Sequence, residues 1–221
     1  MTKHVVITGA NRGIGLNLCQ QYQAAGYHVT AVVRQVSEEL KALGVTIISN
    51  IDVANEGDIV ALQSQLHGYK IDLLINNAGV FSYESMADMD FAAINQQLAV
   101  NAVAPIRVTH ALIHSLGIDA KVAMITSRMG SIADNGSGGY IGYRMSKAAL
   151  NAASVSLAHE LKGKKIAVGL FHPGFVQTQM VNFAGDISPE QAAERLTKRI
   201  DELNLQNSGG FWHSNGETLP W

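Results

Sequence analysis

The sequence predicts an α/β fold: a single doubly wound domain over residues 1–221, with a mostly or wholly parallel sheet of about seven strands and helices on both faces. Three observations predict it. Short apolar runs alternate with longer amphipathic segments along the chain. Gly9, Gly13 and Gly15 cluster where the first apolar run gives way to the first amphipathic segment. No repeat, low-complexity tract or linker breaks the pattern, and 47% hydrophobic with 15% charged residues suits one substantial core.

Strands are expected at residues 4–8, 28–33, 45–50, 71–76, 121–126, 166–172 and 210–213, each a short apolar or β-branched run. Helices are expected between them, at residues 13–25, 37–43, 55–66, 91–116, 146–161 and 189–203. The last has its own start signal: Ser188 as cap, Pro189 in the first position and Gln191 three residues after the cap. The helix at 146–161 is rich in small residues, among them Ala148, Ala149, Ala152, Ala153 and Ala158.

Bulk charge excludes some partners. A net charge of −2 with no long basic run offers no general attraction to nucleic acid or anionic membrane. No apolar stretch has transmembrane length, and the first strand starts too close to Met1 for a signal peptide, so a cytoplasmic location is expected. Cys19 is the only cysteine and sits among apolar helical positions, which predicts a small buried hydrophobe.

The glycine cluster Thr8-Gly9-Ala10-Asn11-Arg12-Gly13-Ile14-Gly15 lies between the first strand and the first helix. Glycines there permit a tight turn and close backbone approach, while the helix N-terminus offers unpaired N–H groups to phosphate oxygens. A P-loop is excluded because no Lys-Ser or Lys-Thr follows, which leaves a dinucleotide, with S-adenosylmethionine as the other ligand for this geometry. An NAD enzyme would carry an acid at the end of the second strand, but this chain reads Val32-Val33-Arg34-Gln35. The planar fork of Arg34 suits a 2′-phosphate, with Arg12 closing from the glycine turn, so NADP(H) is expected over NAD.

Tyr143 and Lys147 stand four residues apart, one helical turn, and so share a face. A cation fixed ~4 Å from a phenol contributes ~4 kcal/mol at an effective dielectric of ~20, which draws the phenol toward neutrality. A hydroxyl so tuned serves as a general acid or base. Tyr140 is the rival, but four residues beyond it stands Arg144, whose guanidinium cannot release a proton in a relay.

With Tyr143, Lys147 and the glycine cluster together, the chain resembles the short-chain dehydrogenase/reductase family from Thr8 to about Thr178. The short segment 179–187, the tail ending in Leu219-Pro220-Trp221 and the Tyr143-Arg144-Met145-Ser146-Lys147 spelling resemble its small branch of C-factor and sniffer-type carbonyl reductases. The resemblance implies a Rossmann-type domain and hydride transfer between NADP(H) and a small-molecule carbonyl or alcohol. It implies that Asp52 and Val53 meet the adenine, and that Asn77, Ala78 and Gly79 line the adenosine and ribose. In the same way, Pro173, Gly174, Val176 and Thr178 pack on the nicotinamide, and Lys147 binds its ribose beside Tyr143. The matching catalytic set is Asn101, Ser127, Tyr143 and Lys147: Asn101 holds a relay water and Ser127 orients the substrate oxygen. Ser127 precedes Tyr140 by 13 residues, close to the family's usual spacing, and Tyr143 by 16, with the surplus placed in Gly136-Ser137-Gly138-Gly139.

Phe81, Tyr83, Met129, Tyr140, Phe175 and Met180 are expected to line an apolar substrate pocket. No metal is expected: His110 and His114 have a ligand spacing, but Ala111 stands where a zinc hydrolase has its glutamate and no third ligand is evident. A homodimer or higher homo-oligomer, paired through the two long helices, is expected. The alternative from another class is a non-catalytic NADP(H)-binding redox sensor or signalling protein.

Overall fold

The computed structural model describes residues 2–221. Seven strands, β1 (His4–Thr8), β2 (His28–Val32), β3 (Thr46–Ile48), β4 (Ile71–Asn76), β5 (Leu116–Ile125), β6 (Ala167–His172) and β7 (Phe211–His213), form one sheet in the order β3-β2-β1-β4-β5-β6-β7. Every neighbouring pair is parallel. The chain winds outward from β1 to β3, returns to place β4 beside β1, and then winds the other way. The crevice beyond the carboxyl ends of β1 and β4 is therefore the point where the winding reverses, where folds of this kind bind ligands.

The apolar runs are continuous because the sheet is covered on both faces. On one face Val6, Leu74, Val122 and Val168 pack against Leu62 of α3 (Glu56–Gln65), Val108 of α5 (Ala104–Ala111) and Leu150 of α6 (Ile141–Leu161). On the other, Val5, Ile7, Leu73 and Ile75 pack against Leu18, Cys19 and Tyr22 of α1 (Gly13–Ala24) and Leu196 of α7 (Pro189–Glu202). The short α2 (Glu38–Ala42) seats Leu40 on this second face. Burial pushes the Cys19 thiol up to about 12, so it is inert packing. The start signal of α7 acts as expected, with the Ser188 hydroxyl accepting the Gln191 N–H at 3.1 Å.

Three boundaries depart from expectation. The helix expected at 91–116 is α4 (Phe91–Leu98), a π-helical turn at Ala99–Val103 and α5, which stops at Ala111. Leu116 instead begins β5, opposite Ile71, because that apolar side chain is buried in the core on the sheet face. The strand expected at 121–126 is longer at its start for the same reason, with a register irregularity between Ile71 and Leu73. The helix expected from 146 begins at Ile141, so Tyr143 lies in its first turn. No helix of the described residues is long and apolar enough to cross a membrane.

Leu74 is fully buried between the paired positions Val6 and Val122. Leu74→Ala is expected to cost about 2–5 kcal/mol of stability through the cavity it leaves, measured by urea unfolding. A loss under about 1 kcal/mol would contradict the packing described.

Candidate active site

The turn after β1 is tied to the turn after β4. The Thr8 hydroxyl accepts the backbone N–H of Asn77 at 3.1 Å and of Ala78 at 3.2 Å, and the Asn77 amide donates to the carbonyls of Thr8 (3.0 Å) and Gly9 (3.1 Å). The approach is close enough that only glycine fits. A Cβ at Gly9, whose φ is +66°, would meet the Ala78 Cα at 2.7 Å, and one at Gly15 would meet the Asn77 amide nitrogen at 2.6 Å. Above this junction lies a cavity of about 660 Å³, lined by the glycine turn, the ends of β2 and β4 and the segment from Gln177 to Phe183. Its volume is in the range of small-molecule and cofactor sites.

Arg12 and Arg34 both stand exposed on the cavity wall. Arg12 bonds the side-chain oxygen of Gln179, and Arg34 lies 3.9 Å from Asp52. A long, solvent-exposed ion pair of that kind is worth little, so the Arg34 fork is free to take a better acceptor. Asp52 is itself shaped by its loop, its carboxylate accepting the Ala54 N–H at 2.9 Å while Arg107 holds the Ala54 carbonyl at 2.7 Å.

The catalytic candidates meet where β5 ends against α6. Ser127, two residues past β5, is buried; its hydroxyl accepts the Met129 N–H at 3.1 Å and lies near enough to the Tyr143 phenol to favour its ionised form. The turn it begins, Arg128–Gly130, sits directly on α6: a Cβ at Gly130 would meet the Lys147 backbone at 2.7 Å. Lys147 is buried, its ammonium donating to the Ile125 carbonyl at 2.9 Å and lying 5.8 Å from the centre of the Tyr143 ring. Asn101, fully buried in the π-helical turn, accepts the Val80 N–H (2.8 Å) and donates to the Val80 carbonyl (2.9 Å) and the Ser146 hydroxyl (3.0 Å).

The electrostatics correct the expectation drawn from the four-residue spacing. Burial pushes the Tyr143 phenol up to about 12, against the opposing effect of the Ser127 hydroxyl beside it. The same desolvation brings Lys147 down to about 8. Attraction to the ammonium does not draw the phenol toward neutrality: the cation lies 5.8 Å from the centre of the ring and is itself penalised by burial.

The short chain dehydrogenase family profile matches residues 3–201. The chain belongs to that family. This short-chain dehydrogenase, an oxidoreductase by family, is 37% identical to 1-hydroxy-2-glutathionyl-2-methyl-3-butene dehydrogenase of Rhodococcus sp. (strain AD45), over 98% of this chain and 99% of that protein. It is 40% identical to C-signal of Myxococcus xanthus over 68% of this chain and 93% of that protein. Among solved structures, the carbonyl reductase Sniffer of D. melanogaster superposes with a TM-score of 0.91 at 27% identity, covering 100% of both chains. An NADPH-bound carbonyl reductase from chicken fatty liver does so with a TM-score of 0.90 at 26% identity, covering 100% of this chain and 99% of that one.

In this short-chain dehydrogenase the cavity gathers Gly9, Asn11, Arg12, Gly13, Ile14, Gly15, Arg34, Asp52, Val53, Asn77, Ala78, Gly79 and Thr178 of the expected cofactor set. Tyr143, Lys147, Pro173, Gly174 and Val176 do not line it; Val176 is buried, bridged to Ile187. The sequence reading missed Asn17, Gln35, Val100, Gln179 and Phe183 as lining residues. Only position could have flagged Asn17 and Gln35, one turn into α1 and one residue past Arg34. Of the expected substrate pocket, Phe81 lies edge-on to Tyr143 at 5.0 Å and Tyr83 edge-on to Tyr140 at 4.9 Å, while Met180 falls within the cavity wall. Tyr140 is the residue preceding α6, and Arg144 staples the glycine stretch before it, donating to Gly139 (3.2 Å) and Ser137 (3.0 Å). No group of three or more potential metal ligands occurs among the described residues.

A lysine lowered from its ordinary 10.5 to about 8 destabilises the fold while charged, so below pH 8 that cost is fully present and it disappears as pH rises to 10.5. Relative to Lys147→Met, the wild type is therefore expected to gain up to about 3 kcal/mol of unfolding free energy across that window, measured by urea unfolding at each pH. A flat difference would show that the amine is not held near 8.

Proposed function

We propose that the protein is an NADP(H)-dependent carbonyl reductase, a single-domain enzyme that moves a hydride between the nicotinamide and a carbonyl or alcohol carbon. The observation that carries this reading is the convergence of Ser127, Tyr143 and Lys147 at the end of β5, with a glycine cradle in the adjoining crevice. The likeness to carbonyl reductases over their full length supports it. The residues fit a dinucleotide phosphate: Gly9, Gly13 and Gly15 line the cavity at the N-terminus of α1, whose leading N–H groups suit phosphate oxygens, and Arg12 and Arg34 give the wall two guanidinium forks. Asp52 and Val53 would meet the adenine, Asn77 to Gly79 the ribose, and Thr178 with Pro173, Gly174 and Val176 the nicotinamide end.

When bound, the nicotinamide supplies or accepts the hydride. The chain's own residues manage the oxygen and the proton. Tyr143, neutral at pH 7, gives its proton to the carbonyl oxygen in reduction and recovers it in oxidation. Ser127, whose hydroxyl lies beside the same phenol, orients the substrate oxygen and stabilises charge on it. Lys147, charged below about 8, binds the nicotinamide ribose and returns a proton to the phenol. The relay water is assigned to the Asn101 carbonyl, since the Asn101 amide is already engaged and Pro105 supplies no N–H to the carbonyl four residues before it.

Absorbance of NADPH followed over benzaldehyde, cyclohexanone and menadione tests the reading. Wild type is expected to turn over at least one of them, Tyr143→Phe to lose at least about 1,000-fold in kcat, and Tyr140→Phe to stay within about tenfold of wild type. The reduction rate is expected to fall as pH rises through about 8, where Lys147 discharges. Arg34→Ala is expected to raise KM for NADPH at least about tenfold while leaving KM for NADH nearly unchanged. The likeness to a protein named C-signal favours a second reading, a non-catalytic NADP(H)-binding signalling protein. Tight NADPH binding without turnover of any such aldehyde, ketone or quinone would decide for it.

A further inference from the structure

We propose that Glu84 is a positioning residue for Tyr143: its buried carboxylate, gripped by Ser82 and Gln97, caps the N-terminus of α6 at Gly142 and thereby fixes the proton-transferring phenol. The proposal rests on the reading of Tyr143 as the general acid, and it concerns how that residue is held.

The first turn of α6 has no local cap. The residue before it, Tyr140, has left-handed backbone (φ 52°) and makes no capping bond, and Gly138 and Gly139 before it are left-handed too. The leading N–H groups of a helix have no intrahelical partners and need an acceptor from elsewhere. Glu84 supplies one from a segment 58 residues away in sequence, its Oε2 accepting the Gly142 N–H at 3.2 Å.

Glu84 is fully buried and forms no ion pair among the described residues. A buried carboxylate is costly unless donors surround it. Here they do: the Gln97 amide donates to both oxygens at 3.1 and 3.3 Å, the Ser82 hydroxyl bonds Oε1, and the helix N-terminus adds its positive dipole end. Gln97 also accepts the Ser82 N–H at 3.2 Å, and Asn101 binds both backbone groups of Val80. The stretch from Val80 to Glu84 is thus clamped to α4 and the π-helical turn, and Glu84 carries that clamp across to α6. Phe81, edge-on to Tyr143 at 5.0 Å, braces the phenol ring from the same stretch.

The sequence of α6 is fitted to this carboxylate. A Cβ at Gly142 would meet Glu84 Oε2 at 2.8 Å, the Gln97 amide nitrogen at 2.6 Å and Ile94 Cγ1 at 2.8 Å. Gly142, immediately before Tyr143, is helical rather than left-handed, so it is glycine for approach and not for conformation.

The test compares Glu84→Ala, Glu84→Gln, Gly142→Ala and the double variant Glu84→Ala/Gly142→Ala with wild type. Each is assayed by kcat with menadione, benzaldehyde and cyclohexanone, by the dissociation constant for NADPH, and by amide hydrogen exchange over the first turn of α6. Glu84→Ala is expected to lower kcat about 10- to 100-fold, as misplacement of a reacting group does, with NADPH affinity within about threefold of wild type. Glu84→Gln, which keeps an oxygen for the Gly142 N–H, is expected to restore kcat to within about fivefold of wild type. Gly142→Ala is expected to reproduce Glu84→Ala, and the double variant to be no worse than either single one. Exchange at Gly142 and Tyr143 is expected to quicken at least about tenfold in Glu84→Ala, a readout that needs no turnover. Unchanged kcat or unchanged exchange in a folded Glu84→Ala would overturn the proposal, as would a loss of NADPH affinity in proportion to kcat. If Glu84→Ala does not fold, equal kcat and exchange in Gly142→Ala and wild type would overturn it. A wild type that reduces none of the three probes would overturn the reading of Tyr143 as general acid, while the exchange data would still decide whether Glu84 holds the turn.

Discussion

Desolvation where β5 meets α6 is the constraint on which the candidate site depends. Lys147 is buried with its ammonium against the Ile125 carbonyl, and Tyr143, half-buried by surface, has its phenol beside the Ser127 hydroxyl. Burial disfavours whichever form of a group carries charge. The phenol is therefore driven up to about 12 and the ammonium down to about 8. At neutral pH this leaves both groups protonated: the phenol carries the proton a carbonyl oxygen would take, and Lys147, made the stronger acid by burial, stands ready to replace it.

The remainder of the fold serves that location through close backbone approach. Parallel strands end together, so the turns after β1, β4 and β5 arrive at one edge of the sheet. Glycines then allow those turns to touch: Gly9 and Gly15 against the Asn77–Ala78 turn, and Gly130 against the backbone of Lys147. Buried hydrogen bonds from Thr8, Asn77 and Asn101 lock the contacts, each contributing on the order of 1 kcal/mol but together excluding alternative registers. The apolar clusters on the two sheet faces supply the burial that makes such precision affordable.

Much of this was legible in the sequence because its causes are local. The buried strands are continuous apolar runs, the glycine turn is a contiguous motif, and Ser188-Pro189 announces α7 within three residues. What was not legible depends on partners distant in the chain. The start of α6 at Ile141 has no local signal, since its N-terminal acceptor comes from Glu84. The end of the helix at Ala111 follows from the pairing of Leu116 with Ile71 across the sheet. The π-helical turn did leave a trace: Pro105 within the expected helix removes the N–H that the Asn101 carbonyl would bond, a signal for a break that the apolar pattern obscured. The balance between burial and charge at Tyr143 exists only in the folded chain, so a spacing of four residues misjudged its direction.

Ultraviolet titration of tyrosinate in wild type minus Tyr143→Phe, without cofactor, shows whether burial lifts the Tyr143 phenol above its ordinary 10. The phenolate of Tyr143 is expected to appear with a midpoint near 12 and to be absent at neutral pH. A midpoint near neutrality would contradict it, and would mean that attraction to Lys147 outweighs desolvation.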